Sequence, residues 1–324
     1  MKIHRYKNFI KQYEINEGIV GEFYDKVKIK YLCKKFHIEN YTINKDGSID
    51  VDGDVNLQGL DMMQFGIGKI SKLPLKFGKV GGNFNCRSNK LESLEGAPTS
   101  VGGHFYCYNN KLTSLEGSPL EVGGDFYCSE NELTSLSGAP REVGGNFSCE
   151  HNKLTSLEGS PLEVGGHFDC RNNQLTSLEG SPRSVGHFYC KNNQLTSLEG
   201  SPHSVGGDFI CSDNQLESLS GISKYISFGI YCQNNKLRDV KGIKDGWRGD
   251  FWIDGNPVHE IFKLFQEVDN DGNLIWDEVI EYLNEYEVIR DGKIVILQAL
   301  ELVFHEMGLE VPEIDEIVGY QIQY

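Results

Sequence analysis

The sequence predicts a solenoid of the α/β class, a curved parallel β-sheet with an irregular, extended convex side, closed at each end by small helical elements. Three observations carry this. A stretch typified by Val122-Gly-Gly-Asp-Phe126-Tyr-Cys128-Ser-Glu-Asn131-Glu-Leu133-Thr-Ser-Leu136-Ser-Gly138-Ala-Pro140 recurs from about Val80 to Val258. Cysteines 86, 107, 128, 149, 170, 190, 211 and 232 mark the units at steps of 21 residues, with one step of 20 where Val185-Gly186-His187 carries a single glycine. An asparagine stands three residues after each of these cysteines, from Asn89 to Asn235. A fixed period of this length means stacked units that bury their apolar faces against one another.

In chain order, Val20, Phe23, Tyr24, Val27, Tyr31 and Phe36 fall roughly at helical spacing. Tyr41-Thr-Ile and Ile49-Asp-Val flank Asp46-Gly47, a hairpin signal. Together they form an N-terminal cap over residues 1–48. The solenoid of about ten rungs is expected over 49–258. Val51-Asp-Gly53-Asp-Val55-Asn-Leu57 opens it as a degenerate rung, and the extra length in Leu60 to Lys69 is expected to bulge. Phe251-Trp-Ile253-Asp-Gly-Asn256 closes the array with Ile253 in the cysteine place. Residues 259–324 then switch to helical patterning around 258–265, 276–283 and 297–307, with a hairpin at Arg290-Asp291-Gly292. This acidic stretch reads as a small α/β capping domain.

Within a unit Phe and Cys lie two apart, so an extended segment points both to one side and the residues around them to the other. Strands in the same register on successive turns pair in parallel, with rungs about 4.8 Å apart. The asparagine amide donates and accepts at once, which suits it to bridge one turn to the next. Glycine after Val is expected to supply a positive φ at the bend, and the recurring prolines to keep the outer segment extended.

A net charge of −16 argues against a phosphate-neutralising surface and against an anionic membrane. The charge is uneven: residues 1–40 carry nine Lys/Arg against five Asp/Glu, and residues 257–324 carry three against sixteen. No apolar run approaches the ~20 residues of a membrane helix, and Met1-Lys-Ile-His-Arg lacks the core of a secretory signal. A cytoplasmic protein is expected.

The unit Val-Gly-Gly-x-Phe-x-Cys-x-x-Asn-x-Leu-x-x-Leu-x-Gly-x-Pro resembles a short leucine-rich repeat, similar to the arrays of secreted bacterial effectors. It is closer still to leucine-rich-repeat proteins of large tailed bacteriophages, whose Asp-Gly-Ser-Ile-Asp-Val entry resembles Asp46-Gly-Ser-Ile-Asp-Val51 here. The resemblance implies a protein-binding inner face and supplies no catalytic residue.

The first candidate site is therefore the outward face of the Phe-x-Cys strands. Its members are His104, Asp125, His167, His187 and Asp208 before the phenylalanine. Tyr106, Tyr127, Asp169, Tyr189, Tyr231 and Trp252 stand between Phe and Cys or their equivalents. Tyr108, Arg171 and Lys191 follow the cysteine. Tyr, Trp and Arg dominate interface hot spots, and these positions vary while the framework stays fixed. His167 and His187 occupy equivalent places on adjacent rungs, but with only Asp169 nearby they fall short of a zinc set and read as polar exposed histidines. The cysteine column reads as core packing, not disulfides. Glu267-Val-Asp269-Asn-Asp271-Gly272 through Glu278 resembles an EF-hand calcium loop at Asp269, Asp271 and Glu278, but an acidic turn between helices needs no metal and is the favoured reading.

No nucleophile, nucleotide or dinucleotide fingerprint occurs, so no enzyme, cofactor or metal is expected. The expected function is a non-enzymatic binder of a protein. If the phage resemblance holds, that partner is a bacterial host protein met in the infected cell's cytoplasm. A virion component, or a scaffold presenting a catalytic C-terminal domain, are the alternatives.

Overall fold

The computed structural model describes residues 17–59, 63, 66, 68–244, 246–265 and 276–324, with 17–24 described by their backbone alone. It is a parallel β-solenoid of the leucine-rich-repeat kind. Each turn contributes two strands of about two residues, one at the valine and one at the phenylalanine. Glu121–Val122 and Phe126–Tyr127 are a typical pair, joined through the corner Gly123-Gly124. The phenylalanine strands run as a ten-stranded parallel ladder from Val55–Asn56 to Phe251–Trp252, in uninterrupted register. The valine strands form a second ladder that the single-sheet expectation lacked.

This second ladder breaks once. Seven strands end at Glu163–Val164, and three resume at Ser184–Val185. The break falls where the unit has 20 residues: with one corner glycine missing, Gly186 donates to Gly166 O instead of reaching back to Val164 as its counterparts do. The phenylalanine ladder passes the same place intact, Phe168 pairing with Phe188.

Phe, Cys and both Leu of every regular turn are fully buried. Consecutive phenylalanine rings from Phe84 to Phe188 stack at 5.2–5.7 Å between centroids. Each buried Phe or Leu is worth roughly 1.5–3 kcal/mol of transfer free energy, so the Phe column and the two Leu columns together hold the turns to one another. The cysteines are free and line the same core. Several turn their thiol toward the next rung, Cys128 Sγ lying 3.3 Å from Ser148 O.

The asparagine ladder knits the turns together. Asn152 Oδ1 accepts the Leu133 N–H of the previous turn at 3.0 Å, while Nδ2 donates to Cys128 O and Cys149 O. The residue just before it carries a positive φ of 52–57° although it is not glycine, from Ser88 to Asn234, and is Gly255 only in the last turn. The glycines after Val do not. Their φ lies outside the left-handed region, and what they supply is proximity: a Cβ on Gly144 would lie 2.2 Å from Gly123 O of the turn below. Positive φ belongs instead to Gly96, Gly117, Gly138 and their equivalents, two residues before the proline place.

At the N-terminal end a helix, α1, spans Glu17–Lys35, followed by the expected hairpin of Tyr41–Ile43 with Ile49–Val51. The helix buries Ile29, Cys33 and Phe36, while Val27 and Tyr31 are exposed. Of the set read from the sequence, Phe36, just past the helix end, is buried, while Val27 and Tyr31 face outward and Ile29 and Cys33 take the inward places. Ile49 and Val51 pair with Phe77 and Val80, which makes this hairpin the first rung. The bulge expected at Leu60–Lys69 lies mostly outside the described residues. After Phe251–Trp252 come helices α2 (His259–Phe262), α3 (Trp276–Glu285) and α4 (Leu297–Glu306). The Ile289–Arg290/Ile294–Ile296 hairpin gains a third, parallel strand, Gln321–Gln323, that no pattern announced.

Candidate functional site

The three outward columns beside the phenylalanine ladder have different jobs. The column before Phe is part of the framework. Asn83 Oδ1 accepts His104 N at 2.8 Å, His104 Nδ1 accepts Asp125 N at 2.9 Å, and Asp125 Oδ1 accepts Asn146 N at 2.8 Å. Asn146 Oδ1, His167 Nδ1 and His187 Nδ1 continue the chain to His167, His187 and Asp208 at 2.8, 3.0 and 3.1 Å. Each side chain thus satisfies the N–H that the corner glycines leave without a strand partner. Only Asn, Asp and His place an acceptor at the δ1 position, and the column from Asn83 to Asp208 contains nothing else. That restriction is the sequence signal that was missed. His104, Asp125, His167, His187 and Asp208 therefore have a structural task on one atom and face outward with the other.

An Nδ1 that accepts carries no hydrogen, so these bonds require the Nε2–H tautomer of the rings, although the Asp125 and Asp208 carboxylates lie 3.2 and 3.1 Å from the Nδ1 atoms of His104 and His187. Burial, reinforced by the neighbouring His187, lowers the His167 pKa, which favours the neutral ring. The His167 and His187 rings meet edge to face at 4.5 Å. With Nδ1 occupied by a backbone N–H they are poorly disposed to share a metal, and no group of three or more ligating side chains occurs among the described residues. Asp269 and Asp271 of the calcium-loop expectation lie outside the described residues, and Glu278 sits in the first turn of α3.

The middle column is aromatic and uneven. Tyr106 and Tyr127 contact each other at 5.5 Å, His104 and His187 stack on Tyr106 and Tyr189 at 5.6 and 5.8 Å, and Tyr231 stacks on Trp252 at 6.3 Å. Trp252 is half exposed. Between Tyr127 and Tyr189 the column holds only Ser148 and Asp169, and these short side chains leave a depression of about 400 Å³. Beyond Tyr189, Ile210 and Ser212 leave a second of about 440 Å³ that ends at Tyr231. Tyr189 is the ridge between them and lines both.

The third column supplies charge. Arg171 forks onto the Asp169 carboxylate at 2.6–3.1 Å, reaches Glu150 at 3.3 Å and lies 5.3 Å above the Tyr189 ring. The paired guanidinium is correspondingly raised in pKa. Glu150 is raised too, first by burial and then by the Asp169 charge. Arg87 lies over Tyr108 at the same 5.3 Å. Lys191 pairs with Asp213 at 3.2 Å. The predicted residues are thus brought onto one face, in which Tyr106, Tyr127, Tyr189, Tyr231 and Trp252 form the aromatic column.

No family model matches the sequence, and no curated protein does. Among solved structures, YopM from Yersinia enterocolitica WA-314 is similar at 18% identity with a TM-score of 0.36, over 63% of this chain and 56% of that one. The chain spans little more than half the length of that protein. The fold assignment rests on the strand ladders and the repeat, and no helix among the described residues is long and apolar enough to cross a membrane.

Proposed function

We propose that the chain is a non-enzymatic protein binder whose contact surface is the inner, concave side of the solenoid, the outward face of the phenylalanine ladder, centred on Tyr189. The observation that carries this is the row of aromatic side chains interrupted by two depressions of side-chain size. Tyrosine brings large rigid area at low entropic cost, and pockets flanked by such ridges are where partner side chains anchor. Three carboxylates, Glu130, Glu150 and Asp169, line the first depression. With Arg171 beside it the excess is negative, which favours a basic side chain from the partner. The resemblance of the repeat to tailed-phage proteins directs the reading further, to a bacterial host protein as the partner and the host cytoplasm as the place of encounter. Affinity capture from bacterial lysate by wild type and by a Tyr127→Ala/Tyr189→Ala variant tests it. Loss of one defined protein from the variant's eluate supports the proposal; an unchanged eluate with an intact fold removes it.

A further inference from the structure

Two tyrosines of the aromatic face already hold a guanidinium. Arg87 lies 5.3 Å from the Tyr108 ring, and Arg171 lies 5.3 Å from the Tyr189 ring while it forks onto the Asp169 carboxylate at 2.6–3.1 Å. The second arrangement uses both properties of the group: a flat cation against the negative face of a ring, and parallel N–H donors on a carboxylate. Tyr189 stands at one side of the first depression and Tyr127 at the other.

Tyr127 has no such partner. Its one ring contact is with Tyr106 at 5.5 Å, tilted by 43°, and no cation lies over it among the described residues. The next rung offers only Ser148, in register with Tyr127 and bonded to Ser129 at 2.8 Å. Beside this open ring the carboxylates outnumber the cations. Glu130 joins no ion pair among the described residues, and Glu150 meets only Arg171, at 3.3 Å, which Asp169 already engages more closely. Burial and then the Asp169 charge push the Glu150 carboxyl up, as expected of a carboxylate short of positive charge. Ring and carboxylate are thus present on the Tyr127 side as they are at Tyr189, without the guanidinium between them.

We infer that the first depression is the seat of an arginine side chain of the protein partner, its guanidinium against Tyr127 and hydrogen-bonded to Glu150, with Glu130 adding charge. The inference rests on the aromatic face being a contact surface, and it adds a selection of arginine over lysine. A lysine ammonium is a compact point charge that cannot lie flat on a ring and fork onto a carboxylate at once.

The test is titration of the full chain, carrying ¹³C-labelled tyrosine, with N-acetyl-arginine amide, N-acetyl-lysine amide and N-acetyl-citrulline amide at matched ionic strength. The readout is the Tyr127 ring resonance, assigned by its absence in Tyr127→Phe. The arginine amide should give a saturable shift in the millimolar range or below, and the lysine amide should bind about tenfold more weakly. The citrulline amide keeps the shape without the charge and should give no shift. Glu130→Gln/Glu150→Gln should weaken arginine binding by about tenfold. No saturable shift, equal binding of the lysine or citrulline amide, or binding that survives the double substitution with the fold intact overturns the assignment. Lysate capture lost in Tyr127→Ala/Tyr189→Ala without any arginine shift overturns the arginine seat alone. An arginine shift beside unchanged capture supports the seat and removes the protein-binding role of the face.

Discussion

The corner glycines allow a prediction whose sign differs between two equivalent positions. Replacing Gly144 by alanine places a Cβ 2.2 Å from Gly123 O, closer than any relaxed contact, so adjacent turns must separate locally. Overpacking of this kind costs about 1–3 kcal/mol. The Gly144 N–H to Val122 O bond of 2.9 Å and the Gly165 N–H to Val143 O bond above it are strained together, each worth about 1 kcal/mol. The expected loss for Gly144→Ala is therefore about 3–5 kcal/mol. Gly206 occupies the same place one turn after the 20-residue unit, and there the nearest atom to an added Cβ is Val185 O at 3.8 Å, ordinary contact. Its φ is not left-handed, so Gly206→Ala loses nothing in the fold and removes freedom from the unfolded chain, a gain of about 0.4–1 kcal/mol. Urea unfolding followed by circular dichroism measures both. The midpoint should fall for Gly144→Ala and hold or rise for Gly206→Ala. Midpoints moving together by similar amounts would refute close approach as the reason for the glycine pair.

Three further outcomes follow from the same geometry. Asn152→Ala removes the acceptor for Leu133 N–H and the donor to Cys128 O and Cys149 O, and should destabilise by about 2–4 kcal/mol in the same assay; a loss under about 0.5 kcal/mol would show that water replaces the amide. Burial pushes the thiols up, Cys86 from 9.0 to about 12, so between these values the folded chain holds protons that the unfolded chain releases. Stability should be intact below about pH 9 and fall as pH rises above it, by about 1.4 kcal/mol per thiol per pH unit, seen as a sharp alkaline transition. The histidines of the framework column should be Nε2–H tautomers, read from ¹⁵N shifts at neutral pH. A protonated Nδ1 on neutral His104 or His187 contradicts the ladder.

The stacking direction, the buried Phe, Cys and Leu columns and both capping hairpins were legible because each rests on a period or a local turn signal. The asparagine bridge was legible from the chemistry of the amide. The second ladder was not, since a lone valine beside two glycines has no alternation to read. The glycine pair was misread for a related reason: sequence shows that no side chain is tolerated but not whether dihedral or neighbour forbids it. For the candidate site, period separates buried from outward positions but cannot separate an outward residue that serves the next turn, such as Asp125, from one that serves a partner, such as Tyr127. The depressions were hidden because they arise from short residues, Ser148 and Asp169, between long ones.

The binding role of the aromatic face is tested most directly by a photo-crosslinking amino acid placed in the first depression at Ser148 and, as control, at exposed Leu162 on the valine side of the solenoid. Irradiation in bacterial lysate should give a discrete crosslinked protein from position 148 that is absent from position 162. Equal labelling from both positions, or from 162 alone, would contradict the assignment.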